Sequence, residues 1–158
     1  MVLDDLVERC NAVEECYEFM LAYAAQGLTR DAGSASGEQL RTQLGRAVKS
    51  LTGLAGAYRA AISEASLEPA DRHEAFLAVL ERDCGDALAA MELVLAQPSI
   101  SSQLIDNLNA SIHLRALLTD LFLLDEVAKL HQSADGRAAE DRVAEDRAAE
   151  DRAISAET

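Results

Sequence analysis

Few side chains in this sequence could carry chemistry. There are three histidines, His73, His113 and His131, and three cysteines, Cys10, Cys16 and Cys84, in 158 residues. No two cysteines stand in a Cys-x-x-Cys pair, and neither set has zinc-finger spacing. The carboxylates that break the pattern are Glu14 and Glu18, one helical turn apart. Glu14 falls at the edge of an apolar face, between Cys10, Val13 and Tyr17. A carboxylate there must be paired, protonated or bound to a metal. Arg115 is the mirror case on a later apolar stripe. At ~1.5 Å rise per residue both lie roughly 20 Å below one end of an antiparallel bundle. Glu14, Glu18 and Arg115 are therefore read as a candidate ligand site or an internal ion pair. His73 lies in line with an apolar face and is read as a packing residue. His113 shares a polar line with Asp106, Asn109 and Asp120. Cys16, beside Phe19 and Tyr23 and off the main apolar face, is the thiol to test for reactivity, although Glu15 and Glu18 argue against a depressed pKa.

Counting excludes the familiar helical enzymes. A di-iron carboxylate bundle takes acids from two helices and a Glu-x-x-His pair from each of the others. No Glu-x-x-His occurs in this sequence. Three histidines are too few for a His-rich iron site. There is no phosphate-binding Gly-rich loop and no Gly-x-Ser-x-Gly elbow. The expectation is a protein with no catalytic residues, no metal ligands and no cofactor.

The elements that must position these residues are helical. Apolar residues make up 49% of the chain but aromatics only 4%, with no Trp, 8 Gly and 2 Pro. Such a composition disfavours strands and favours Ala/Leu/Glu/Arg helices. The first helix is expected over about Leu3 to Gln26, with Leu3, Leu6, Val7, Cys10, Val13, Tyr17, Leu21 and Ala24 on one face and Gly27 as its stop. The second opens at Ser36, whose hydroxyl and Gln39 have capping-box spacing. Its stripe runs from Leu40 to Ala65, and a second line is small: Gly45, Thr52, Gly56 and Ser63, flanked by Gly53 and Ala60. That line suggests close approach of another backbone. Pro69 suits the first turn of a third helix, which ends before Pro98. A fourth is expected from about Ser102 to His131. Short loops make consecutive helices antiparallel neighbours. The fold class is all-α: an up-down-up-down four-helix bundle over residues 1–132.

Residues 133–158 form a second segment. Arg-Ala-Ala-Glu-Asp repeats through residues 137–153, with one Val substitution. A period of five lays no apolar stripe along a helix, so a frayed or disordered charged tail is expected.

The second half of the fourth helix departs from ordinary patterning. Leu114, Leu117, Leu118, Leu121, Phe122, Leu123 and Leu124 go most of the way round it. A helix apolar on nearly all sides is covered on nearly all sides. Leu114, Leu117, Leu118, Leu121 and Phe122 are therefore read as a partner-binding surface for another protein or a second copy of this chain. With 28 acidic against 14 basic residues, the formal net charge of -14 disfavours nucleic acid and anionic membranes as partners. The N-terminus lacks a basic segment before an apolar run, and the cysteine count is odd. Both point to the cytoplasm. The functional expectation is a non-enzymatic helical accessory or adaptor protein that self-associates. The alternative is a small-molecule, metal or redox binding bundle with its site near Glu14.

Overall fold

The structure, a computed structural model, describes residues 1–156. They form five α-helices and no strand: α1 (Val2–Ala25), α2 (Ala35–Glu64), α3 (Ala70–Leu95), α4 (Ser102–Ala110) and α5 (Ile112–Ala156). Packing density divides the chain into Met1–Leu124 and the part from Asp125 onward.

Within Met1–Leu124, α2 packs on α1 and α3, and α4 packs on α1 and α3. Residue numbers run in opposite directions across these seams. Arg9 reaches the Ser50 carbonyl, at 3.4 Å, while Glu15 meets Arg46 at 2.8 Å. Across the next seam Tyr58 meets His73, whereas Arg41 meets the Leu95 carbonyl. The core is Leu-rich, with Tyr23, Tyr58, Met20 and Met91 as its largest fully buried members besides the leucines and isoleucines.

The face that α1 buries is Leu6, Cys10, Val13, Cys16, Met20 and Tyr23. It is rotated from the one read in the sequence, so Tyr17 is only half-buried and Leu21 is 47% exposed. The helix stops where Gly27 adopts φ +66°, a conformation glycine enters without steric cost. The cap of α2 is Ser34, not Ser36: its hydroxyl accepts the Gly37 N–H at 3.0 Å. Helix α2 ends with Ser66 at φ 51° and the Leu67 N–H bonded back to the Ile62 carbonyl at 3.2 Å. This is a Schellman closure, with a buried Leu67 as its hydrophobic contact. The small-residue line of α2 receives no second backbone. Thr52 and Gly56 are exposed, and a Cβ at Gly45 or Gly56 would meet open space. Gly53 alone is approached, by the Arg9 guanidinium.

The single fourth helix expected from Ser102 to His131 is two helices. Ser111, at φ -58° and ψ 131°, leaves the helical region, and the sequence offers no Pro or Gly there. The reason is phase. Helix α4 buries Ser102, Ile105, Leu108 and Asn109, whereas α5 begins by burying Leu114, Leu117, Leu118 and Leu121. At ~100° per residue a continuous helix would point these two faces roughly 180° apart. One extended residue lets both reach the core.

From Asp125 onward, α5 continues as helix through Ala156. The frayed tail expected from residue 133 is instead part of this helix. Elongating an existing helix escapes the nucleation cost, and Ala, Glu and Arg have high helix propensity. The missing apolar stripe is real, since residues 132–155 are all exposed. Arg142 and Arg152 bond back to the carbonyls of Ala138 and Ala148, at 3.2 and 3.0 Å.

Candidate functional surface

The residues singled out in the sequence meet different fates. Leu114, Leu117, Leu118 and Leu121 are buried in the core of the chain itself. They became core because the phase reset at Ser111 turns this face of α5 inward. Phe122 stays 52% exposed, and beside it Leu123 is 54% exposed. Ile112, at 73%, lies eleven residues before Leu123, a spacing that returns to nearly the same side of a helix. Between Ile112 and Leu124 the large apolar side chains open to solvent are therefore Ile112, Phe122 and Leu123, with exposed Arg115 and Thr119 between the first and the other two; Leu21 of α1 and Leu93 of α3 are exposed as well.

Glu14 is half-buried, with Oε1 shielded from solvent. Glu18 and Arg115 are both exposed. An internal Glu14–Arg115 pair would need the guanidinium under cover, and Arg115 projects to the solvent side of α5. Cys16 is fully buried, and burial pushes its thiol up to about 12. Cys84 is pushed up to about 12 as well, by burial first and then by Asp120 and Asp83. Both thiols are held in the protonated, unreactive form at neutral pH. His73 bonds through Nδ1 to the Tyr58 hydroxyl at 2.6 Å and stacks edge-on to that ring. It serves packing between α2 and α3. His113 faces Asp86 across the α3–α5 seam at 3.8 Å.

The densest polar cluster gathers around a segment whose composition predicts only a loop. Asp31 is 6% exposed and accepts from Arg41 Nε and, at 2.7 Å, from the Ile100 N–H. Arg41 spends its other nitrogens on the carbonyls of Leu95 and Gln97, at 3.1 and 3.0 Å. Tyr23 donates to the Ile100 carbonyl at 2.7 Å. Ser102 donates to the Tyr23 carbonyl at 2.6 Å and accepts the Leu28 N–H at 2.9 Å. The α1–α2 and α3–α4 loops are thereby tied together at one end of the helices. The Arg41 hydrogen bond holds the Asp31 carboxyl below its usual range against the opposing effect of burial. Every polar atom named here is used internally, so this cluster is a clasp rather than a reaction centre. Its only signal in the sequence is an Asp ten residues ahead of an Arg, which spacing rules do not pair.

Among the described residues, no group of three or more His, Cys, Asp or Glu side chains is placed to hold a metal ion, and no helix is long and apolar enough to cross a membrane. The chain matches no protein-family model, no curated protein and no solved structure.

Proposed function

We propose that the protein is a non-enzymatic helical accessory protein that works through protein–protein contact, and that it self-associates in the cytoplasm. In this reading Met1–Leu124 is an up-down-up-down bundle in which α4 and the first part of α5 together form the fourth rod. The opposed residue numbering across the α1–α2 and α2–α3 seams supports that arrangement. The observation that carries the functional reading is the exposure of the adjacent Phe122 and Leu123, large apolar side chains left in water on a strongly acidic protein. Burying a Phe or Leu side chain yields about 1.5–3 kcal/mol each, and a few such residues at an interface centre carry much of an affinity. Burial, which pushes the Cys16 thiol up to about 12, favours this reading over a redox site near Glu14.

Light scattering across a concentration series tests it. The native chain is expected to give a mass above that of one chain, and Phe122→Asp to return it to one chain with helix content unchanged. A native protein that stays at one chain's mass throughout would sink the self-association. Leu121→Asp is the contrasting variant, since its buried position predicts loss of folding instead.

A further inference from the structure

We infer that Asp83 of α3 and Asp120 of α5 share a single proton in the folded protein, and that this proton latches the two helices together. Asp120 Oδ2 is shielded from solvent, and among the described residues no N–H or O–H donor reaches it. A buried acceptor without a donor is costly. The group facing Asp120 is another carboxyl, that of Asp83, within hydrogen-bonding reach. Two ionised carboxylates cannot satisfy one another. One carboxylic acid and one carboxylate can, with the acid O–H donating across the seam.

Among the described residues no basic side chain is placed to relieve the pair. From α3 the groups facing Asp120 are Asp83 and the buried, uncharged Cys84. On its own helix the neighbours one turn away are Ala116, Leu117, Leu123 and Leu124, all apolar. Further along the same seam His113 lies 3.8 Å from Asp86. Burial, the hydrogen bond to Asp83 and the Asp83 charge, in that order, push the Asp120 carboxyl up to about 7. The folded protein therefore holds a proton there that the unfolded chain, with an Asp near ~3.9, has released. Between those two values the native state binds the extra proton, so stability falls as pH rises and levels off above about 7. Ionisation of the second carboxyl places two like charges in the seam and loosens the first turns of α5 from α3.

Carboxyl carbon NMR of the full chain, with urea unfolding in chelator-treated buffer, tests the latch. The expected result is one Asp carboxyl titrating between about pH 6 and 8 and lost in Asp120→Asn. The urea midpoint of the native protein is expected to fall from pH 5 to pH 8. Asp120→Asn and Asp83→Asn should flatten that fall, and His113→Gln should leave it in place. If every Asp titrates below pH 5, or if the Asn variants keep the native slope, the shared proton does not exist. The NMR titration uses the unaltered protein, so it decides the matter even if both variants fold poorly.

Discussion

Asn109 shows how much a single buried side chain can cost here. It is 7% exposed, and among the described residues neither its amide nitrogen nor its amide oxygen finds a hydrogen bond. Replacing such a group by an apolar one of similar shape removes the desolvation penalty. Asn109→Leu is therefore expected to raise stability by about 1–3 kcal/mol, read as a higher urea midpoint. Gly37 predicts the opposite sign. A Cβ added there would sit 1.9 Å from the Asp31 carbonyl oxygen, which is fixed backbone. Gly37→Ala should cost about 1–3 kcal/mol or more in thermal unfolding. Ser66, held at φ 51°, should gain about 0.5–1 kcal/mol as Ser66→Gly, because glycine relieves the left-handed strain at a Schellman position. None of these three is legible in the sequence. Periodicity gives which side of a helix an Asn or a Gly is on, but not whether a donor or a foreign carbonyl waits there.

At the scale of elements, the sequence is legible wherever one apolar stripe runs unbroken. Leu40 to Ile62 mark α2, and Phe76 to Leu95 mark α3, because an i, i+3, i+4 pattern has only one helical solution. It misleads where two stripes meet. Ile105 and Leu108, followed by Leu114 and Leu117, look like one continuous helix, but they belong to two helices with their faces out of phase. The leucine zone itself, Leu114 to Leu124, lies wholly in α5, where Leu114, Leu117, Leu118, Leu121 and Leu124 are buried and Phe122 and Leu123 stay exposed. The Asp31 clasp is illegible for a different reason. Its partners Arg41, Ile100 and Ser102 are far along the chain, and a loop contact of that kind leaves no periodic trace. The clasp carries its own pH prediction. Asp31 is held below its unfolded value, so its stabilisation is complete above about pH 4 and is lost as pH falls through the folded value. Acid unfolding of the native chain should therefore shift to higher pH in a protein lacking Arg41, and Arg41→Met followed by circular dichroism against pH measures that shift.

For the whole molecule, charge governs how copies meet. A formal net charge of -14 makes the protein repel itself at long range, so any self-association through Phe122 and Leu123 must win at short range. Added salt screens the repulsion, with a Debye length of about 8 Å at physiological ionic strength. Association of the native chain is thus expected to strengthen between low and moderate salt, measured as mass in light scattering. A basic foreign partner would show the reverse trend, which separates the two occupants of the same surface. The charged segment after residue 132 adds to this field, and its five-residue repeat, which lays no apolar stripe, is enough to foresee its exposure.

The extended residue at Ser111 has one more effect. Inside α2 or α3, an added residue would swing every later side chain by ~100° and wreck the seam beyond it. Between Ala110 and Ile112 the two segments already keep independent rotational settings, so the joint can swallow an extra amino acid as slack. Lengthening the chain at that point should be forgiven where the same edit at Leu51 or Leu80 is ruinous, and a linker or reporter peptide would be spliced in there first.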